Sequence, residues 1–298
     1  MKNHWGGWSL QTKLSSCIIA VSLFIMATTS LWLYDAVKNL QHAQRIAEIN
    51  ACAEPFFKAI EALSFERGRS NVVLAAEAPI SEQNREFLMG RRKLADSNLQ
   101  LGLERLRRID SALAERLLTE YKQFQLLQSQ LDEQAQLPLA RRNSAIRDEW
   151  IRQSTDFIFF VRDIIDSVGR RERTLGVFDI YHHFQLNCVE FRLFSGYSAS
   201  ILTAAIANGQ SLSPADHREF LESRAKADYL WEQIHNDSMD FDNLILQETL
   251  QRVYQKYYRG YRPMQAEILS YLLAEAAPKE WGERLAAHSV PAFDSIFD

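Results

Sequence analysis

The chain is predicted to be all-α: an N-terminal transmembrane helix followed by two stacked, duplicated four-helix bundles. Three observations lead there. Only 11 Gly and 7 Pro occur in 298 residues, which leaves few turns and favours long helices over an all-β fold. Residues 14–33 form an uncharged apolar run. About 131 residues separate two copies of one unit, a period too long for a solenoid and suited to a duplicated domain.

The duplication rests on matches in one order, at offsets of 128 to 133. Glu66-Arg67-Gly68-Arg69-Ser70 aligns with Phe194-Ser195-Gly196-Tyr197-Ser198, and Arg85-Glu86-Phe87-Leu88 with Arg218-Glu219-Phe220-Leu221. Arg92 and Asp96 return as Arg224 and Asp228, Tyr121 and Phe124 as Tyr254 and Tyr257, and Glu149-Trp150 as Glu280-Trp281.

Residues 1–13 read as a cytoplasmic stub, because they contain no acidic residue. Residues 14–34 read as the membrane helix, since about 20 apolar residues span a hydrocarbon core. Trp5 and Trp8 before it, and Trp32 and Tyr34 at its end, suit interfacial aromatic belts. No small-x-small cleavage site follows, so an uncleaved anchor is expected rather than a signal peptide. Leu14-Ser15-Ser16-Cys17 precedes the apolar run and is not a lipoprotein cleavage box. Lys2 and Lys13 on one side face Lys38 and Arg45 on the other, so charge counting barely orients the span. The short stub places the remainder in the periplasm and the chain in the inner (cytoplasmic) membrane.

Residues 35–170 form the expected first bundle. Its first helix continues from the membrane to about Ala78, kinked at Pro55. Ser81 caps the second helix, Asp110 the third, and Pro138 starts the fourth. Ile60, Leu63, Arg67, Ser70 and Leu74 share one stripe, as do Phe157, Val161, Ile164 and Val168. Residues 171–298 form the expected second bundle, with helices over 174–207, 213–235, 242–258 and from Pro278 onward. Asn208-Gly209 ends the first of these, and Ser213-Pro214 opens the next. Between Phe157 and Phe184 only Gly169 and Gly176 interrupt, so the two bundles are expected end to end, one helix running nearly straight into the other. The last helix is expected to lead to a second membrane span beyond Asp298.

Chemistry concentrates at Arg67. It falls on the inward stripe, and a buried guanidinium requires a partner. Either a protein acid such as Asp96 supplies it, or a small anion does, with Ser70 and Asn71 one turn on. Other motifs carry less. His182 and His183 are adjacent, diverge by about 100° and suit helix packing, not a metal. The acidic turn Asn236 to Asn243 lacks the glycine and closing glutamate of a calcium loop and reads as a helix cap. Tyr254, Tyr257, Tyr258 and Tyr261 suit core or interface packing. Cys17, Cys52 and Cys188 are too scattered for a disulfide framework or zinc. A net charge of −4 gives no case for nucleic acid. No catalytic signature occurs, so neither an enzyme nor a cofactor is expected within these residues.

The segment Leu63-Ser64-Phe65-Glu66-Arg67-Gly68-Arg69-Ser70-Asn71, followed by an apolar run and by Arg92 and Asp96, resembles the nitrate- and nitrite-sensing (NIT) domain family. The resemblance covers roughly residues 40–298 and is nearest to double-bundle input regions ahead of diguanylate cyclases. It implies a membrane-anchored sensory input domain that binds a small anion and relays it by helix displacement to a diguanylate cyclase, chemoreceptor or histidine kinase. It implies that Arg67 helps hold the anion; Arg69, Arg92, Arg192 and Arg224 follow from repeat position. Ser195 replaces Arg67 in the second copy, so the bundles are not equal sites. The expected partners are the lipid bilayer, a small anion and a second copy in a homodimer. The alternative is a ligand-free structural or dimerisation module.

Overall fold

The computed structural model describes residues 9–170 and 176–274, and beyond them Pro278, Trp281, Gly282, Leu285, Ser289 and Ala292. Trp5, Trp8, Thr174 and Glu280, used in the sequence reading, lie outside the described residues. Among the described residues the chain is all-α: α1 (Leu10–Ala75), α2 (Glu82–Ile109), α3 (Ser111–Ala135), α4 (Ile146–Gly169), α5 (Gly176–Asn208), α6 (Pro214–Ser238), α7 (Leu244–Val253) and α8 (Arg262–Ala274). It divides into two compact units, Met1–Asn50 and Ala51–Asp298.

The first unit holds the apolar part of α1. Ser9 opens the helix, its Oγ accepting from the Thr12 N–H at 3.2 Å. The run is long and apolar enough to cross a membrane. Leu14, Ile18, Phe24, Met26 and Trp32 along it are all exposed. Both its threonines bond back along the helix: Thr28 donates to the Phe24 carbonyl at 3.0 Å and Thr29 to that of Ile25 at 2.7 Å. Such back-bonding leaves neither of these donors bare on an apolar surface.

In the second unit α1 continues unbroken through Pro55. Proline has no N–H, so the carbonyl four residues earlier, that of Ala51, loses its helical partner. Arg105 on α2 supplies it, donating from Nη1 to the Ala51 carbonyl. The expected stripe is buried, with Ile60, Leu63, Arg67, Ser70 and Leu74 all inside. Ser81 caps α2 by accepting from Asn84 N–H at 3.3 Å, and Asp110 caps α3 by accepting from Leu113 N–H at 2.9 Å.

The fourth helix starts later than Pro138. A short 3-10 turn, Leu139–Arg141, comes first, and α4 begins at Ile146. The delay has a purpose in hydrogen bonding. Arg142, buried in this turn, donates to the carbonyls of Val73, Leu74, Ala76 and Ala78 at 2.7–2.9 Å. Val73 and Leu74 are in the last turn of α1, whose final carbonyls lack helical partners, and Ala76 and Ala78 follow it.

The end-to-end expectation is corrected. Helix α5 does not extend α4 but returns alongside it, antiparallel. Phe159 meets Phe194 with ring centroids 6.1 Å apart, Arg162 pairs with Glu190, and His182 packs on Gly169. A Cβ at Gly169 would lie 2.5 Å from the His182 ring. The absent side chain is what lets the helices approach here.

From α5 onward a hydrophobic cluster forms among residues 184–292, around Phe191, Phe220, Tyr257, Tyr261 and Ile268. Gly209, at φ +64°, ends α5, and Ser213 caps α6 with Pro214 in its first turn. Helix α7 is capped by Asn243, within the acidic turn that reads as a helix cap, and begins at Leu244, two residues later than expected. It passes through a π-helical segment, Tyr254–Tyr261, into α8. The predicted end at Tyr258 is therefore overrun. Pro263 in the first turn of α8 cannot donate to the α-helical ladder, and the widened turns precede it.

Candidate functional site

Residues two apart on a helix point nearly opposite ways. Arg67 and Arg69 on α1 therefore serve different neighbours. Arg67 faces α4 and α5 and is 3 % exposed. It donates from Nη1 to Thr155 Oγ1 at 3.0 Å and from Nη2 to the Leu193 carbonyl at 3.1 Å. Its guanidinium carbon lies 5.2 Å from the centre of the Tyr197 ring. No carboxylate among the described residues pairs with it, Asp96 included; Asp96 accepts from the Tyr121 hydroxyl instead. The Nε of Arg67 and the Oγ of Ser70 are buried with no hydrogen-bond partner among the described residues. Burial pulls the Arg67 pKa down to about 10, partly offset by Tyr197, so the group stays charged at neutral pH.

Asn71 closes the seam between α1 and α5. Its Nδ2 donates to the Ser200 carbonyl at 3.2 Å, and its Oδ1 accepts from Arg147 Nε at 2.7 Å. The Trp150 indole donates to the Arg67 carbonyl at 3.4 Å.

Arg69 faces α2 and a cavity of about 600 Å³. Arg192 and Gly196 on α5 line the same cavity. The charged groups are layered with aromatic rings. Arg192 and Arg91 lie over Phe65, at 4.3 and 4.2 Å from its centroid. Arg91 and Arg69 lie over Phe87, at 5.3 and 4.7 Å. Phe65 and Phe87 themselves meet edge to face at 6.5 Å. Three guanidiniums thus share two rings. Cation–π stacking offsets part of the cost of desolvating them but supplies no negative charge. Among the described residues Arg69 donates only to Asn84 Oδ1, at 3.2 Å, and burial lowers its pKa.

The neighbouring acid is already committed. Glu66, fully buried, accepts from Arg92 Nε at 2.5 Å and from Gln128 Nε2 at 2.9 and 3.0 Å. Arg92 also donates to Asp132 at 2.5 Å. Burial pushes the Glu66 pKa up to about 7 against the pull of Arg92, whose charge Asp132 shares. Arg92, carried over from repeat position, is therefore the partner of two protein acids.

The structure brings Arg69 and Arg192 to one cavity and puts Arg67, Ser70 and Asn71 in the adjoining helix seam. It leaves Arg224 elsewhere. Burial, then Arg262 nearby, lowers the Arg224 pKa; its other charged and aromatic neighbours are Asp228, Tyr257 and Tyr258. Sequence reasoning missed Arg91, Phe65, Phe87 and Asn84. The alternation of Phe65 with Arg67 and Arg69, and the spacing of Phe87 and Arg91 by one turn, were the available signals. Among the described residues no group of His, Cys, Asp and Glu could hold a metal ion, and Cys17, Cys52 and Cys188 are free thiols. No protein-family model, curated protein or solved structure matches the chain.

Proposed function

We propose that the chain is a membrane-anchored sensory input domain that binds a small anion where α1, α2 and α5 meet. One observation carries this: Arg67 and Arg69, two residues apart on α1, are both withdrawn from water and neither pairs with a carboxylate among the described residues. A buried charge left without a counter-charge is costly, and an anion entering the cavity would offset it. Arg69 and Arg192 are the contacts for the anion in this reading; Arg67 adds its uncompensated charge from the seam. A planar guanidinium suits a two-pronged grip on nitrate, nitrite or a carboxylate.

The exposed apolar run of α1 supports anchoring in a bilayer, because so large an exposed apolar surface is rare on a water-soluble chain. The same helix carries the run and both arginines. Ligand binding would shift α1 against α5 by the 1–2 Å typical of helix displacement. The hydrophobic cluster among residues 184–292 supports a second bundle in the reading of a duplicated chain. A periplasmic placement, a homodimer and a diguanylate cyclase, chemoreceptor or histidine kinase output complete the proposal, on the strength of the NIT resemblance.

The test is thermal unfolding of the full chain in nonionic maltoside micelles. Sodium nitrate, nitrite, formate and benzoate are compared with chloride at equal ionic strength. A true ligand stabilises the fold by about 2.7 kcal/mol at a hundredfold excess over its Kd. Arg69→Ala should remove the response and Arg67→Lys weaken it. If none of the four anions raises Tm above chloride, the arginines are structural and the ligand-free module is the better account.

A further inference from the structure

A second cavity, of about 750 Å³, lies between α1, α5, α6, α7 and the turn that precedes α7. That volume is ordinary for a small-molecule site. Its character is opposite to that of the arginine cavity. The walls carry the rings of Tyr181, Phe184, Phe191, Trp231 and Phe241. Phe241 meets Tyr181 at 87° and Phe184 at 73°, with centroids 6.2 and 5.6 Å apart. Phe191 and Trp231 lie 5.5 Å apart at 44° on the other wall. A cavity lined by so many rings suits a cation, which is attracted to an aromatic face within about 6 Å of its centre.

The charges at this cavity agree with the rings. Glu54, Glu61, Asp240 and Asp242 line it, against one cation, Lys58. Lys58 is engaged with Glu54 at 2.6 Å. Asp240 and Asp242 flank Phe241 in the acidic turn. Asn243 does the helix capping there, accepting from Leu246 N–H at 3.1 Å, so capping does not account for the two aspartates. Val189, Ile234, Leu246 and Leu250 extend the interior as hydrocarbon.

We infer that this cavity binds an organic monocation with an apolar body, an alkyl- or arylammonium, its charged head against the Phe241 ring and the Asp240 and Asp242 carboxylates. The site is independent of the anion site and shares none of its arginines.

The experiment is isothermal titration of the full chain in maltoside micelles, which carry no choline head groups to compete. Benzyltrimethylammonium chloride is the probe, with benzyl alcohol as its uncharged comparator and sodium benzoate as the anionic one. Saturable binding of benzyltrimethylammonium alone is expected. Phe241→Leu, which keeps apolar bulk but removes the π face, should weaken it about tenfold. The surface double substitution Asp240→Asn with Asp242→Asn should weaken it severalfold, more at low salt than at high. No saturable heat up to about 10 mM would overturn the proposal. Equal binding of benzyl alcohol, or wild-type affinity in both variants, would do the same.

Discussion

Two polar interiors within residues 51–298 do the same structural job with different chemistry. In each, a glutamine from a later helix reaches back to the first. Gln128 donates to the Glu66 carboxylate. Gln265 donates to the Ser198 hydroxyl at 3.1 Å and to Tyr261 at 3.2 Å. In each, an aspartate accepts from a tyrosine: Asp96 from Tyr121, and Asp228 from Tyr258 at 3.1 Å. The first interior adds a buried charge, Glu66, held by Arg92. Among the described residues of α5 to α8 no carboxylate is buried, and the ion pair there, Arg262 with Asp228 at 2.8 Å, includes a carboxylate that is 41 % exposed. A buried charge makes an interior depend on its counter-ion and on pH; a hydroxyl in its place gives up both dependences.

That contrast is open to breaking. Arg92→Ala should have the largest effect. It strands Glu66 and, at about pH 8 where that carboxyl is ionised, should cost about 3–5 kcal/mol, read as a drop in Tm of the full chain in micelles. Arg262→Ala removes stacking on Tyr257 and Tyr258 but leaves an acid, Asp228, that water can reach, and should cost less, about 1–2 kcal/mol. Equal losses from the two substitutions would show that burial of the acid is not what distinguishes the interiors.

The pH dependence sharpens it. Burial raises the Glu66 pKa from 4.5 to about 7. The folded chain therefore holds this proton more tightly than the unfolded one. The resulting stabilisation is complete below about pH 4.5 and is lost as pH rises through 7. Wild type should lose Tm relative to Glu66→Gln over that interval. A wild-type advantage that grew with pH would mean the Arg92 pairing outweighs burial. Ser198→Ala in the second interior should show no such pH trend.

The smallest effects lie at the repeat-related glycines. A Cβ at Gly68 would meet only Ser200 Cβ, at 3.7 Å. Gly68→Ala should then gain up to about 1 kcal/mol from helix propensity. A Cβ at Gly196 would lie 2.6 Å from Arg192 Nη1. Gly196→Ala must push that guanidinium aside, so its net change should be about zero, and it should weaken the anion response while Gly68→Ala leaves Tm higher.

Local chemistry explains which features were legible in the sequence. The caps at Ser81, Asp110 and Ser213 and the turn at Gly209 depend on a few adjacent residues, and all occur where spacing puts them. The stripe through Arg67 is likewise a matter of period alone. What the sequence hid depends on distant partners. The return of α5 along α4 depends on His182 fitting over Gly169. The late start of α4 depends on Arg142 finding the end of α1. The guanidinium–phenylalanine layers join three helices, so no single window contains them. The π segment before Pro263 replaced a predicted helix end, because proline there widens the helix without stopping it.

The exchange at Pro55 has a consequence for how the chain is made. The Ala51 carbonyl and Arg105 are 54 positions apart. During synthesis α1 leaves the ribosome with one rung missing, and water must hold that carbonyl until α2 has emerged. Long helices usually complete themselves by local rules. This one takes the partner of its Ala51 carbonyl from another helix, so that rung comes only with tertiary structure.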